Sequence, residues 1–213
     1  MKIARPTRSF VAQNLAINNW DSIAPYFTDL VSRELKSKTD FMQWLKDQSE
    51  LEAILEEDAA WRYIKMTINT KDESLSNTYT FFTSQIQPEI APFEDQLNHK
   101  LNNCSFTQEL EKDEAFHILF RRVKTAIQLY REENIPLFSE VSEESKKFGA
   151  LSAKQSIDHD GKTLTMQKAA TLLKETNEDL RKSIFNKIAD RRREDVDAFN
   201  DLFNILLKKR HQI

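Results

Sequence analysis

Only two glycines, Gly149 and Gly161, and five prolines occur in these 213 residues, where an average chain carries roughly 7% Gly and 5% Pro. Positive φ angles and close backbone approaches are therefore open to the chain almost nowhere. A dinucleotide-binding fold or a phosphate-cradling loop needs several glycines in a fixed pattern. Sandwiches and barrels need turn residues at roughly every tenth position. Neither requirement is met. The expected fold class is all-α, an irregular multi-helix bundle with one short β-hairpin near 155–164. No fixed-period repeat points to a solenoid.

Charge and cysteine content narrow the function classes. Lys and Arg number 31 against 34 Asp and Glu, a net charge of -3, and the two signs are interspersed. A dedicated nucleic-acid binder would show a basic excess on one face. Cys104, the single cysteine, cannot form an internal disulfide, which suggests a reducing compartment. The opening residues, Met1 to Pro6, lead into no apolar signal segment. No window approaches the roughly 18 apolar residues of a membrane span. A cytoplasmic location without membrane or nucleic-acid partners is expected.

Apolar positions recur with a helical period. A first helix is predicted from Asp21, with Pro25 in its opening turn and Ile23, Phe27, Leu30 and Val31 on one side. A short helix over 39–48 places Phe41, Trp44 and Leu45 inward. Ser49-Glu50-Leu51-Glu52 reads as a capping box that opens a second, longer helix. Another helix runs over 72–87, with Pro88 and Pro92 kinking or restarting it. After the polar stretch 102–112, Asp113 opens the stripe Phe116, Leu119, Phe120, Val123, Ile127 and Tyr130, which Asn134-Ile135-Pro136 ends. A helix over 137–150 follows. Asp160-Gly161 suits a tight hairpin turn, expected as a surface feature. Thr165 caps the next helix, and Thr176-x-x-Asp179 opens the final ones. Two segments are expected, 1–112 and 113–213. The closing Lys208-Lys209-Arg210-His211-Gln212-Ile213 follows an apolar stripe with no polar tail, which reads as a cut.

No complete active site is visible. Glu114-x-x-His117 has the spacing that helical di-iron proteins use, but they need it twice with two further glutamates. His159 lies in the hairpin turn between Asp158 and Asp160, a solvated turn before it is a metal clip. His99 and His211 stand alone, and Cys104 has no histidine nearby in sequence to activate a thiol. Arg191-Arg192-Arg193 is flanked by Asp190, Glu194 and Asp195, the pattern of a solvated face with local ion pairs. The aromatic residues follow the apolar stripes and read as core.

Several segments carry a more specific signal. They are Trp20-Asp21-Ser22-Ile23 with Pro25-Tyr26-Phe27, Ser49 to Leu55 continuing to Ala60-Trp61-Arg62-Tyr63-Ile64, and Ile86-Gln87-Pro88-Glu89-Ile90-Ala91-Pro92. Arg131 to Leu137, Asp160-Gly161-Lys162, Arg191-Arg192 and Lys209-Arg210-His211-Gln212 extend the set. Together they resemble the N-terminal region of bacterial oligoendopeptidase F, along essentially the whole chain and in order.

That family is similar to the thimet oligopeptidases, cytoplasmic zinc metallopeptidases that cut short peptides in a channel between two largely helical halves. Their catalytic unit is a His-Glu-x-x-His helix with a more distant glutamate. No His-Glu dipeptide occurs in residues 1–213, so the resemblance transfers no catalytic or metal residue to this chain, and it does not specify which residues touch substrate. It implies a parent in which zinc and the motif lie beyond Ile213, and a fragment inactive alone. The implied partners are a C-terminal catalytic domain of the same polypeptide and short peptides. Self-association through Phe199, Leu202, Phe203 and Leu206 is also expected. The alternatives are a complete non-enzymatic helical scaffold and, from the Glu114-x-x-His117 spacing, a di-iron protein.

Overall fold

The computed structural model describes residues 7–213, whose regular elements are helices and one two-stranded antiparallel sheet. The chain divides into two compact units, Met1–Pro136 and Leu137–Ile213. This boundary falls after the 112/113 division drawn from the sequence, because helix α6 (His117–Leu129) packs on α4 (Gln87–Asn103) and so lies in the first unit.

In the first unit a 3₁₀ turn, Trp20–Ser22, is capped by Asn19, whose Oδ1 accepts the Ser22 N–H at 3.0 Å. Helix α1 (Ala24–Ser32) follows, with Pro25 in the first turn, where its missing N–H is not needed. Helix α2 then runs unbroken over Lys38–Ile68. The sequence reading of two helices meeting at Ser49 is thus corrected. No Gly or Pro interrupts this stretch, and each further residue adds one hydrogen bond to a helix already nucleated. The cap is Ser37, whose hydroxyl accepts the Asp40 N–H at 3.1 Å.

The residues of the supposed capping box serve other ends. Glu52 Oε1 accepts from Gln48 Nε2 at 2.8 Å, one turn earlier on the same helix. Glu50 reaches outside the helix and accepts the successive backbone N–H groups of Ser9, Phe10 and Val11 at 2.9, 2.9 and 2.7 Å, with the Ser9 hydroxyl at 3.0 Å. A carboxylate in a concavity of consecutive N–H groups is a strong anchor. It fastens the segment before α1 to α2.

Helix α3 (Glu73–Phe81) begins close to the expected Asp72, which caps it by accepting the Ser74 N–H. A π-helical turn, Phe82–Ile86, joins it to α4, with Pro88 in the first turn of α4 and Pro92 inside it. The π turn shifts the hydrogen-bond ladder by one residue, and that is the restart expected at Pro88. Short helix α5 (Thr107–Leu110) precedes α6, which follows a 3₁₀ turn capped by Asp113. The shared core gathers Ile23, Phe27 and Leu30 from the α1 region, Phe41, Trp44 and Leu51 from α2, Leu97 and Leu101 from α4, and Phe120 and Val123 from α6. Burying a side chain of this size contributes roughly 1.5–3 kcal/mol.

In the second unit, α7 (Asn134–Ala153) starts three residues before the predicted Leu137. Asn134-Ile135-Pro136 therefore opens a helix as well as ending one, because proline is tolerated in a first turn. Strands β1 (Ser156–His159) and β2 (Lys162–Thr165) pair with His159 opposite Lys162. The two-residue loop has φ of 50° at Asp160 and 72° at Gly161, the sign a type I′ turn requires. The hairpin is more than a surface feature. Its Ile157 is buried against Ala169 of α8 (Met166–Leu172) and against Ile184 and Ile188 of α9 (Glu178–Glu194).

Thr165 caps α8 as predicted. Asn177, not Thr176, caps α9 by accepting the Leu180 N–H at 3.0 Å, in line with the stronger N-cap preference of Asn. Helix α10 (Val196–Arg210) buries Leu202 and sets Phe199 against Phe148 of α7, ring centroids 5.4 Å apart. Of the residues expected to drive self-association, Leu202 thus faces inward and Phe203 outward.

Two outcomes test this description. Partial burial pushes the Glu50 carboxyl up, but the N–H groups of Val11, Ser9 and Phe10 more than offset it and hold it below the ordinary carboxylate value. Its stabilisation is thus present above that range and lost as pH falls through it. Glu50→Gln should cost about 1.5–3 kcal/mol in urea unfolding at pH 7, and the gap from wild type should narrow below about pH 4. Gly161→Val, which forces a β-branched residue into positive φ, should cost about 1–2 kcal/mol and weaken protection of the hairpin amides in hydrogen exchange.

Candidate functional site

The histidines and cysteine singled out from the sequence fall on separate elements. His117 is exposed at the start of α6. His99, on α4, has Nε2 3.7 Å from Asp95 Oδ2, and His159 Nε2 lies 3.4 Å from Asp160 Oδ2 at the hairpin turn. His211 follows α10, and Cys104 is a free, partly buried thiol just after α4. Among the described residues no three His, Cys, Asp or Glu side chains lie together so as to hold a metal ion. The donor set for a catalytic zinc, three protein ligands around an open position, is therefore not supplied by this part of the chain.

The arginine triplet is a solvated face. Arg191 pairs with Asp195 at 2.7 Å and with Glu194 at 3.4 Å, and Arg193 with Asp190 at 2.7 Å. Asp195 also accepts from Gln155 at 2.9 Å. The arginines thus support the local helix junction. Among the described residues, no helix is long and apolar enough to cross a membrane.

The most unusual electrostatic environment was not legible from any motif. Glu52 and Glu56, one turn apart on α2, lie near Glu94 of α4, with Arg122 of α6 as an attractive charge on Glu52. Desolvation first, then repulsion from Glu56, raises the Glu52 carboxyl above its ordinary value against the Gln48 hydrogen bond and Arg122. Desolvation, then repulsion from Glu52 and Glu56, raises Glu94. Both residues are exposed, so solvent screens the effect and the upward shift is a matter of direction rather than of a large penalty. Two nearby buried oxygens on the same helices, Gln48 Oε1 and Asp95 Oδ1, accept no hydrogen bond from the described residues. The i,i+4 glutamate pair on α2 was the only sequence signal available; the approach of Glu94 is made by the fold.

A second concavity is a shallow, open depression of about 510 Å³ along α1, lined by Asp21, Ala24, Pro25, Thr28, Asp29 and Ser32. Its openness leaves little surface to enclose a ligand.

These features belong to a helical domain in which the described residues bring no metal-binding cluster together, and comparison with known proteins names its class. The sequence matches the model of the peptidase M3 N-terminal domain over residues 10–130. The chain belongs to that family. No curated protein gives a significant match. The fold is similar to that of a solved protein described as an oligoendopeptidase F, at a TM-score of 0.81 and 17% identity, covering 96% of this chain and 36% of the other. A second such protein, from Bacillus anthracis str. Ames, gives a TM-score of 0.81 and 17% identity over 96% of this chain and 38% of its own. PZ peptidase A, solved with an inhibitor, gives 0.80 and 18% identity over 95% of this chain and 36% of its own. The chain thus spans little more than a third of each solved relative.

The neighbouring carboxylates give a pH-dependent outcome. Folded-state values raised above the unfolded ones mean that Glu52 and Glu94 favour folding when protonated, and that this contribution is lost as pH rises through their raised values. Glu94→Gln should therefore stabilise the chain at pH 7 by roughly 0.5 kcal/mol, the scale of a screened like-charge contact. The gain should shrink toward pH 4, as measured by thermal unfolding across pH.

Proposed function

We propose that this chain is the N-terminal, non-catalytic part of an oligoendopeptidase F-like zinc metallopeptidase of the cytoplasm, which hydrolyses short peptides, and that it forms one wall of the channel in which they are cut. The observation that carries this reading is one of extent. Nearly the whole chain follows the fold of the solved relatives, at 95–96% coverage, yet it accounts for only 36–38% of their length. The family match over residues 10–130 supports the same assignment.

On this reading the hydrolytic centre belongs to polypeptide outside these residues, since the described ones bring no metal-ligating group together. A helical wall contributes in a different way. It admits extended chains, holds them in register with the reacting atoms and keeps bulk water out, and such positioning lowers a barrier without adding a chemical group.

The reading is tested by extending the reading frame past Ile213 and comparing its product with the 213-residue chain on a quenched oligopeptide. The longer product should encode His-Glu-x-x-His and cleave the peptide. The present chain should show no turnover and bind less than one equivalent of zinc. Turnover by the purified chain alone would refute the proposal, and a stop codon after Ile213 would favour a helical scaffold instead.

A further inference from the structure

Helix α2 keeps one side in the core, with Phe41, Trp44, Leu51 and Leu55 buried. Along its other side runs a row of residues four apart, Glu52, Glu56, Ala60, Ile64 and Ile68, every one of them exposed. Residues at that spacing form a continuous ridge on a helix surface. The ridge changes character along its length, from two carboxylates through a methyl group to two isoleucines. Trp61 stands beside the apolar end, three residues before Ile64, and is 49% exposed.

Neither end is accounted for by folding. Ile64 and Ile68 are 38% and 80% exposed, and a β-branched residue on the solvent side of a helix loses side-chain freedom without gaining burial. Tryptophan is enriched on recognition surfaces. At the other end, Glu94 of α4 adds a third carboxylate near Glu52 and Glu56, and Arg122 is the cation that acts on Glu52. That end of the ridge is negative.

The order of these chemistries constrains what can lie on the ridge. An uncharged apolar face laid along all of it would cover two carboxylates without giving them partners, which is costly. A second copy of the helix fits no better. Parallel pairing sets glutamate on glutamate, and antiparallel pairing sets glutamate on isoleucine. A chain with cations at one end and apolar side chains at the other satisfies both. The distance from Glu52 to Ile68 is about 24 Å along the axis, which about seven extended residues span.

We infer that the Glu52–Ile68 ridge of α2 is a docking surface for an extended basic–apolar oligopeptide, with arginine or lysine side chains over Glu52, Glu56 and Glu94 and apolar ones over Ile64, Ile68 and Trp61. The inference rests on the function proposed above for the kind of occupant, a short peptide; the ridge supplies its chemistry. Because the surface is open, salt screens the charged contacts, and they add selectivity more than affinity.

The test titrates the 213-residue chain, by calorimetry at low salt, with two heptapeptides blocked at both ends. One begins with two arginines and ends with two leucines and a phenylalanine; in the other, glutamates replace the arginines. The arginine peptide should bind about tenfold more tightly. In Glu52→Gln/Glu56→Gln, which keeps the shape and removes the charge, that ratio should fall to about threefold or less. Ile64→Ser/Ile68→Ser should weaken both peptides about fivefold and leave the ratio intact. Circular dichroism checks that each variant keeps its helices. Equal binding of the two peptides, binding of neither, or a ratio unchanged in the glutamine variant would overturn the inference. A product of the extended reading frame that cleaves quenched forms of both peptides with equal kcat/KM would overturn it and leave the proposed function standing. A longer product that cleaves neither, with the binding ratio intact in the 213-residue chain, would refute the proposed function and leave the ridge as a peptide-docking surface.

Discussion

A chain almost without glycine must close its helices by some means other than the left-handed cap that glycine provides, and here long cations do it. Lys100 of α4 is the central case. Its ammonium donates to the carbonyls of Leu30, Val31 and Arg33 at 2.7, 2.9 and 2.5 Å, covering the end of α1. The ammonium also lies 5.6 Å from the centre of the Trp44 ring, and Trp44 Nε1 donates to Leu30 O at 2.8 Å. One carbonyl thus receives donors from α2 and α4 together. Desolvation, then the nearby Arg33, lowers the Lys100 ammonium below its ordinary value, but three carbonyls and a helix C-terminus favour positive charge there. Arg33 extends the junction by pairing with Asp29 and, at 2.5 Å, with the buried Asp47, while lying over the Phe10 ring. Segment, α1, α2 and α4 are tied at one point.

The same device recurs at three further places. Arg62 donates to Ile17 O at 2.8 Å and to Thr78 O at 3.2 Å, is held by Asp58, and lies over Phe81 and Phe82. Arg131 takes Gln128 O and Tyr130 O at the end of α6. Arg181 takes Glu175 O and Thr176 O, both at 2.8 Å, before α9. Thr78 O already accepts the Phe82 N–H, but at the ends of α1 and α6 and before α9 a side chain supplies donors to terminal carbonyls. Closing helices this way couples local structure to packing, because the cation must arrive from somewhere. Gly161 is free for the one place where a cation could not substitute, a two-residue hairpin turn that needs the angle itself.

This explains what could be read from the sequence. The helical class, the hairpin at Asp160-Gly161, the starts near Asp72 and Asp113 and the cap at Thr165 depend on residues close together, and they were legible. The errors fell where a local pattern had a non-local use. Ser49 to Glu52 has the letters of a capping box, but Glu50 is taken by the N–H groups of residues 9–11, some forty positions away. Asn134-Ile135-Pro136 signals a break, and the same residues also start the next helix, since a proline is tolerated in a first turn. The candidate site was the least legible of all. Glu52 and Glu56 look like an ordinary exposed face until α4 brings Glu94 beside them, and no spacing within one helix encodes that approach.

The contrast between cation and carboxylate also bears on how a domain of this family can work. Lys100 is committed to three carbonyls at the end of α1, Arg33 to the carboxylates of Asp29 and Asp47, and Arg62 to Ile17 O, Thr78 O and Asp58. Moving any of them would strip partners from several polar groups at once. Removing water from an unpaired polar group costs about 1–3 kcal/mol, so the first unit resists rearrangement at its core. The neighbouring carboxylates of α2 and α4 have no such commitment: Glu52 has one neutral donor in Gln48 and a single guanidinium nearby, and Glu94 is shifted by repulsion alone once desolvation is counted. Unlike Glu50 and Asp47, which are held by backbone N–H groups and Arg33, Glu52 and Glu94 are left free to respond to pH. The first unit is therefore rigid where its helices close and electrostatically unsettled where these acids meet solvent.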